Sequence, residues 1–127
     1  IECHPYAQRK HWQEICKKHN IQIECWFPLG GRDSKGEILR DSVINDIAKA
    51  HGKTAAQVII RWHIQMGFSV IPGTSDSSYI KENISVFDFQ LSDAEMARIA
   101  ALDKEKRYFN MPYEEQKRLF GGFKLWD

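Results

Sequence analysis

The sequence has no apolar run of membrane-spanning length and no excess of charge of either sign. Its 127 residues include 18 Lys and Arg against 17 Asp and Glu, for a net charge of +1. A helix needs about 20 consecutive apolar residues to cross a bilayer, and a nearly neutral chain has no general attraction for nucleic acid or anionic lipid. No secretory signal pattern opens the chain. We therefore expect a protein that binds neither membrane nor nucleic acid.

The sequence also has too few cysteines for a disulfide framework. Its three cysteines, Cys3, Cys16 and Cys25, lie in or beside apolar runs, where a reduced cysteine behaves as a small hydrophobic residue. This pattern favours a reducing, cytoplasmic location. Cys16 and His19 have a spacing found in metal sites, but no second pair matches it. We interpret both, together with Cys3, His4 and His11, as structural or solvated residues.

Hydrophobic residues make up 43% of the chain, enough for one domain with a core. Periodicity and capping residues predict an order of strand, helix, strand, two helices, strand and further helices. The predicted strands are 1–3, 21–26 and 68–71, and the predicted helices are 9–19, 41–51, 54–66, 76 or 77 to 83, 92–102 and a short one near 113–119. Strands separated by helices run parallel, so the class is α/β. Three parallel strands form a sector of a sheet and not a closed one.

The helices at 41–51 and 54–66 are joined by a tight turn, as in a helix-turn-helix. A DNA-recognition helix presents polar side chains along one face, whereas the second helix here is apolar on two sides. We therefore do not expect DNA binding. His63, in the same helix, is interpreted as a packed histidine and not a catalyst. Glu2, Asp88 and Asp93 have no spacing that indicates an acid–base pair.

The stretch 68–83 reads as a buried strand, a loop of small residues and the start of a helix. Gly73, Thr74 and Ser75 form the loop, and the free amides of the following helix would attract an anion. Such a junction, taken alone, more often binds nothing. The loop is one of three that follow predicted strands, and in α/β folds ligands bind at the carboxyl ends of strands. Trp26 lies at one such end, where it is either a core residue or a ring that stacks on a planar ligand. If the loops converge, they suit a nucleotide.

Six short segments together resemble one known family. They are residues 1–6 (IECHPY), 26–30 (WFPLG), 53–62 (KTAAQVIIRW), 70–73 (VIPG), 80–83 (IKEN) and 87–92 (FDFQLS). In this order they resemble the C-terminal portion of an aldo-keto reductase, most closely the bacterial diketogluconate-reductase type, over about residues 1–110. The resemblance implies the last three strands of a (β/α)8 TIM barrel that reduces aldehydes or ketones with NADPH. Such a barrel needs about 250 residues, so residues 1–127 are expected to be one partial domain, with a C-terminal tail from 103 to 127.

The resemblance also implies which residues hold the cofactor. Trp26 takes the position that stacks on nicotinamide, Phe27, Leu29 and Asp33 follow the pyrophosphate, and Glu82 and Asn83 bind adenine. Gly73, Thr74 and Ser75 match the loop around the adenosine 2′-phosphate, and Tyr79 is placed to stack on adenine.

Two positions depart from the family pattern. The family often has Lys at the position of Gly73 and Arg at the position of Tyr79, and these cations contact the 2′-phosphate. NADP is the expected cofactor, with NAD left open because both cations are missing. Thr74, the helix amides and Lys81 remain as phosphate partners.

The family's catalytic Asp, Tyr, Lys and His match no residue here, because they lie upstream of Ile1 in the family pattern. We therefore expect the isolated chain to be inactive, with no catalytic residue assigned. The alternative is a truncated, non-enzymatic module that self-associates and binds nucleotide weakly. The substrate of the complete enzyme would be a small carbonyl compound. Aromatic residues of the tail either line its pocket or cover the barrel: Tyr108, Phe109, Tyr113, Phe120, Phe123 and Trp126.

Overall fold

The computed structural model describes residues 1–32 and 34–121, and it has the α/β architecture predicted from the sequence. The two strands are β1 (Glu24–Cys25) and β2 (Ser69–Val70), and a 3₁₀ turn spans Ile38–Arg40. The helices are α1 (Lys10–Lys18), α2 (Ser42–His51), α3 (Ala55–Gln65), α4 (Ser77–Ile84), α5 (Asp93–Ala100) and α6 (Tyr113–Phe120). Phe123 and Trp126 lie outside the described residues.

Local capping explains where the central helices begin. The Asp41 carboxylate accepts hydrogen bonds from the amides of the first turn of α2. Thr54 and Ser92 each form a reciprocal capping box with the residue three positions on. Each side chain satisfies amides that a helix start would otherwise leave unpaired. The predicted helix starts at these three caps are confirmed.

The parallel sheet is shorter than the sequence predicts. β1 and β2 pair in parallel, with Glu24 opposite Ser69 and Cys25 opposite Val70. A third extended segment joins through one parallel bridge, between Glu2 and Trp26. The predicted strand 21–26 is too long because the Ile21 amide donates to the Cys16 carbonyl at 2.8 Å, which closes the end of α1. The three predicted strands are therefore present, in parallel, but only two form a ladder.

Helix α3 is the central helix of the core. Val58, Ile59 and Trp62 are buried against apolar residues from β1 and α2. α3 also buries Gln57 and His63, which confirms the prediction that His63 is a packed histidine. Helix α1 differs: none of its residues is buried, and Trp12 is 46% exposed.

An apolar groove lies between α3, β2 and α4. It has a volume of about 390 Å³ and is lined by residues such as Val70, Ile80 and Ile84. Ile80, Ile84 and Phe87 are exposed, Phe87 to 69%. Exposed apolar surface of this kind marks an interaction face in many proteins.

None of the described helices is both long enough and apolar enough to cross a membrane.

Candidate cofactor site

A cavity of about 480 Å³ opens where the loops after β1 and β2 meet the starts of α3 and α4. Six residues that the sequence placed at a cofactor line it together: Leu29, Gly73, Thr74, Tyr79, Glu82 and Asn83. Four further lining residues, Leu39, Thr54, Ala55 and Ala56, were not predicted. The lining of the cavity is mostly apolar with a few polar groups, which is the usual character of a small-molecule site.

The loop after β1 is held in a compact turn that brings Leu29 to the cavity. Phe27 has φ of 50° and its carbonyl accepts a hydrogen bond from the Gly30 amide at 2.9 Å. Gly30 has φ of 84°, and a Cβ there would lie 2.7 Å from the Cβ of Ser34. Glycine is therefore required for both backbone conformation and space. Asp33, the predicted pyrophosphate residue of this loop, lies outside the described residues.

The loop after β2 corrects one expectation. The sequence predicted free amides at the start of α4, but the Asp76 carboxylate accepts from the Ser78 amide at 2.8 Å and from the Ser78 hydroxyl at 2.6 Å. These two hydrogen bonds hold the pKa of Asp76 below its usual range, and the bond from the Ser78 hydroxyl has the larger effect. A negative charge therefore caps the helix end that was predicted to attract phosphate. Ser75 is exposed and does not line the cavity.

Glu82 connects α4 to the start of α3. Its carboxylate accepts a hydrogen bond from the Thr54 hydroxyl at 2.6 Å, while the Gln57 side-chain amide donates to the backbone carbonyls of Glu82 and Ser85 at 3.2 and 3.0 Å. The sequence indicated Thr54 and Gln57 as a capping box, but not that the box bonds to a second helix. That contact could not be read from spacing, because it joins residues 28 positions apart.

Trp26 lines a different cavity, of about 220 Å³, and Phe27 does not line it. The Trp26 ring is 4.4 Å from the Phe27 ring and 5.2 Å, edge to face, from the ring of Phe109. Phe109 and Met111 bring the tail to this place. Trp26, the predicted nicotinamide-stacking residue, therefore does not line the cavity that holds the predicted adenosine-binding residues.

The tail is fastened to the start of the chain by Glu2. Its buried carboxylate accepts from the backbone amides of Tyr108 at 2.6 Å and Phe109 at 3.2 Å, and lies 3.2 Å from Nε2 of His4. Burial lowers the pKa of His4, against the opposing effect of Glu2. Glu37 adds a second anchor by accepting from the Tyr108 hydroxyl at 2.9 Å. Sequence reasoning found no partner for Glu2, since more than a hundred residues separate it from the amides it binds.

The parallel strands separated by helices, with a ligand-sized cavity at their carboxyl ends, place the chain in the α/β class. A sequence model of the Aldo/keto reductase family matches residues 1–104. The chain therefore belongs to the aldo/keto reductase family.

Two curated relatives show the extent of the similarity. The chain is 45% identical over 107 residues to a 9,11-endoperoxide prostaglandin H2 reductase of Trypanosoma cruzi, covering 84% of this chain and 38% of the relative. It is 40% identical over 114 residues to a glyoxal reductase of Bacillus subtilis, covering 90% of this chain and 40% of the relative. The chain thus spans about two fifths of the length of the relatives it matches.

Solved structures agree on the fold. A Gox0644 mutant in complex with NADPH superposes with a TM-score of 0.78 at 38% identity, covering 98% of this chain and 42% of that one. MGS-M4, an aldo-keto reductase from a deep-sea metagenome library, gives a TM-score of 0.83 at 35% identity, with coverage of 87% and 41%. The predicted fold, part of an aldo-keto reductase barrel, is confirmed.

Proposed function

We propose that this chain carries the cofactor-binding part of an NAD(P)H-dependent oxidoreductase that reduces aldehydes or ketones to alcohols. The observation that carries the proposal is the cavity at the strand ends, where six residues predicted to bind the cofactor converge. Membership of the aldo/keto reductase family and the likeness to an NADPH-bound protein support it. The proposal places adenosine in this cavity and nicotinamide at Trp26.

Each part of the cofactor has proposed partners. Tyr79 is exposed beside the cavity and offers its ring to adenine, while Glu82 and Asn83 offer hydrogen bonds. Leu29, Phe27 and Asp33 follow the pyrophosphate. Thr74 and Ser75 lie at the 2′-phosphate end, with the Lys81 ammonium as the nearest cation on α4 by sequence. Trp26 stacks on nicotinamide, an arrangement that suits a flat aromatic ring.

The proposed cofactor is NADP(H), with NAD(H) as an effective second ligand. Neither Gly73 nor Tyr79 carries charge, and Asp76 places a carboxylate at the helix start. Both features weaken attraction for a 2′-phosphate without affecting the rest of the cofactor. We therefore expect only a small preference for NADPH over NADH.

A bound reduced nicotinamide would supply hydride to the carbonyl carbon of the substrate. The residues described here bind and orient the cofactor, and none of them is proposed as the proton donor. We accordingly expect this chain alone to bind cofactor without turnover. The tail near Phe109 and Met111 is the proposed contact with a small carbonyl substrate, because it lies beside Trp26.

A second candidate function is a self-associating module that binds nucleotide weakly. The specific observation in its favour is the exposed apolar groove beside β2. In this case the cavity is occupied only at high nucleotide concentration, whereas the first proposal requires ordinary cofactor affinity.

The experiment is calorimetric titration of the purified chain with NADPH and NADH. Micromolar binding to one site per chain is expected, and Tyr79→Ala should weaken both ligands roughly fivefold or more, since base–aromatic stacking contributes about 1–3 kcal/mol. Tyr113→Ala, which removes another exposed tyrosine, on α6, is the control. Millimolar binding would favour the second candidate.

NADPH consumption with a panel of aldehydes should show no turnover, and clear turnover would contradict the expectation that the isolated chain is inactive.

A further inference from the structure

Three buried side chains with metal-binding atoms meet beneath the sheet, apart from the cofactor cavity. The sulfur atoms of Cys3 and Cys25 and a ring nitrogen of His63 all lie within 4.8 Å of one another. All three residues are fully buried, at 0% exposure. Cys16 and His19, whose spacing first suggested a metal site, take no part in this cluster. Its members come from three different elements and share no sequence spacing.

The fold brings the three residues together through parallel pairing. Cys3 follows the bridge between Glu2 and Trp26, and Cys25 is the last residue of β1. His63 lies in the last turn of α3, the helix that packs against this sheet. An ion at this point would therefore connect the first extended segment, β1 and α3.

The surroundings of His63 leave one ring nitrogen suited to a cation. Nδ1 lies 2.8 Å from the carbonyl oxygen of Ile59, and Nε2 lies 3.0 Å from the carbonyl oxygen of Cys3. A neutral imidazole has only one proton, so it can donate to only one of these oxygens. When Nδ1–H donates to Ile59, one turn back in the same helix, the lone pair of Nε2 faces a carbonyl oxygen without a hydrogen between them.

A metal ion satisfies this arrangement. Metal-bound histidines usually donate their second ring N–H to a carbonyl or carboxylate, as Nδ1 does to Ile59. Two thiolates and an imidazole are ligands that Zn²⁺ accepts, and the Cys3 carbonyl oxygen beside Nε2 is a fourth donor. At about 2.3 Å for Zn–S and 2.0–2.1 Å for Zn–N, donors in a tetrahedral site are roughly 3.5–4 Å apart. Since the ligand atoms lie within 4.8 Å of one another, their separations need to contract by at most about 1.3 Å.

We propose that Cys3, Cys25 and His63 form a structural zinc site. Each thiol loses its proton to solvent as the metal–sulfur bond forms, and no oxidation or reduction takes place. Because the site is closed to solvent, the ion enters while the chain folds and not through the native surface. The bound ion ties the sheet to the helix layer, which stabilises the fold without touching the cofactor cavity.

The test uses Co²⁺ as a spectroscopic substitute for zinc. The 127-residue chain is unfolded, reduced with a phosphine and refolded with one equivalent of Co²⁺ without oxygen. We expect one bound ion per chain, with thiolate-to-cobalt charge-transfer absorption that Zn²⁺ abolishes by displacement. Cys3→Ala and Cys25→Ala should each remove about half of this absorption, and His63→Gln should alter the ligand-field bands. Cys16→Ala, which removes the cysteine outside the cluster, should leave the spectrum unchanged.

Several results would overturn the proposal. These are no charge-transfer absorption in the parent chain, the same absorption in Cys25→Ala, or its loss in Cys16→Ala. X-ray absorption at the zinc edge of the zinc-loaded parent chain needs no variant, so it decides the matter even if a variant fails to fold. Two sulfur neighbours are expected there, and a shell of only nitrogen and oxygen neighbours would contradict the site.

Discussion

At the residue scale, Asp76 is the residue that we propose to have the largest effect on the choice between NADPH and NADH. It caps α4 through the Ser78 amide and hydroxyl, so it puts a negative charge at the helix end proposed for the 2′-phosphate. Gly73 and Tyr79 add no compensating cation. A helix start without a charged cap attracts phosphate, but the carboxylate of Asp76 weakens that attraction at the start of α4.

Asp76→Asn should raise the affinity for NADPH roughly fivefold, since it removes one like charge near the phosphate. Asn is as good a helix cap as Asp, so the loop should keep its conformation. The affinity for NADH, which has no 2′-phosphate, should stay within about twofold, because the charge change acts mainly on that group. Calorimetric titration with both cofactors measures the difference.

Asp93→Asn is the matched control, because it makes the same change in charge on the exposed first turn of α5. It should leave both affinities unchanged. Equal gains for NADPH and NADH in Asp76→Asn, or the same gain in Asp93→Asn, would show that Asp76 does not face the phosphate.

At the scale of elements, the contact between α3 and α4 shapes the cavity that we propose for adenosine. The side-chain carbonyl of Gln57 accepts from the Thr54 amide at 3.0 Å, and its amide group reaches two carbonyls at the end of α4. Gln57 is buried. One residue thus caps one helix and fixes the position of another, which holds Glu82 and Asn83 at the cavity.

Gln57→Ala should lower the free energy of unfolding by about 2–3 kcal/mol, because three hydrogen bonds of a buried side chain are lost. It should also weaken cofactor binding through the loosened α4. Gln116→Ala, which removes an exposed glutamine bonded to Met111, should cost under about 0.5 kcal/mol. Urea unfolding measures both, and equal losses in the two variants would contradict the role given to Gln57.

The sequence predicts those features that depend on hydrogen bonds within one helix start, and it misses those that depend on contacts formed only in the folded chain. The caps at Asp41, Thr54 and Ser92 bond within their own helix start, so the sequence predicts them. The extent of the strand near Ile21 depends on its bond to Cys16, and the place of the tail depends on Glu2. Those contacts join residues whose proximity only the folded chain establishes. The resemblance grouped six residues that line one cavity in the structure, whereas the Asp76 cap was not predicted.

At the scale of the whole molecule, the exposed face beside β2 is the proposed site of self-association. Ile80, Ile84 and Phe87 lie along one groove, and the outer edge of β2 pairs with no other strand among the described residues. An open strand edge next to apolar side chains favours pairing with another chain. This edge and groove are the basis for expecting self-association.

Sedimentation equilibrium should show association of the purified chain that grows with concentration. The double variant Ile84→Lys and Phe87→Lys should shift the chain towards monomer, because burying either charge in the interface is costly. Leu119→Lys, on the exposed side of α6, should leave association unchanged. A parent chain that stays monomeric at all concentrations would rule out this face as an interface.

The central claim is that one extended cofactor joins the adenosine cavity to Trp26. Its most direct test is the quenching of tryptophan emission by NADPH in the parent chain, in Trp26→Phe and in Trp12→Phe, whose indole is exposed on α1. We predict saturable quenching that persists in Trp12→Phe and is largely lost in Trp26→Phe, while calorimetry still detects binding in all three. Undiminished quenching in Trp26→Phe, or no saturable quenching in the parent chain, would contradict the account.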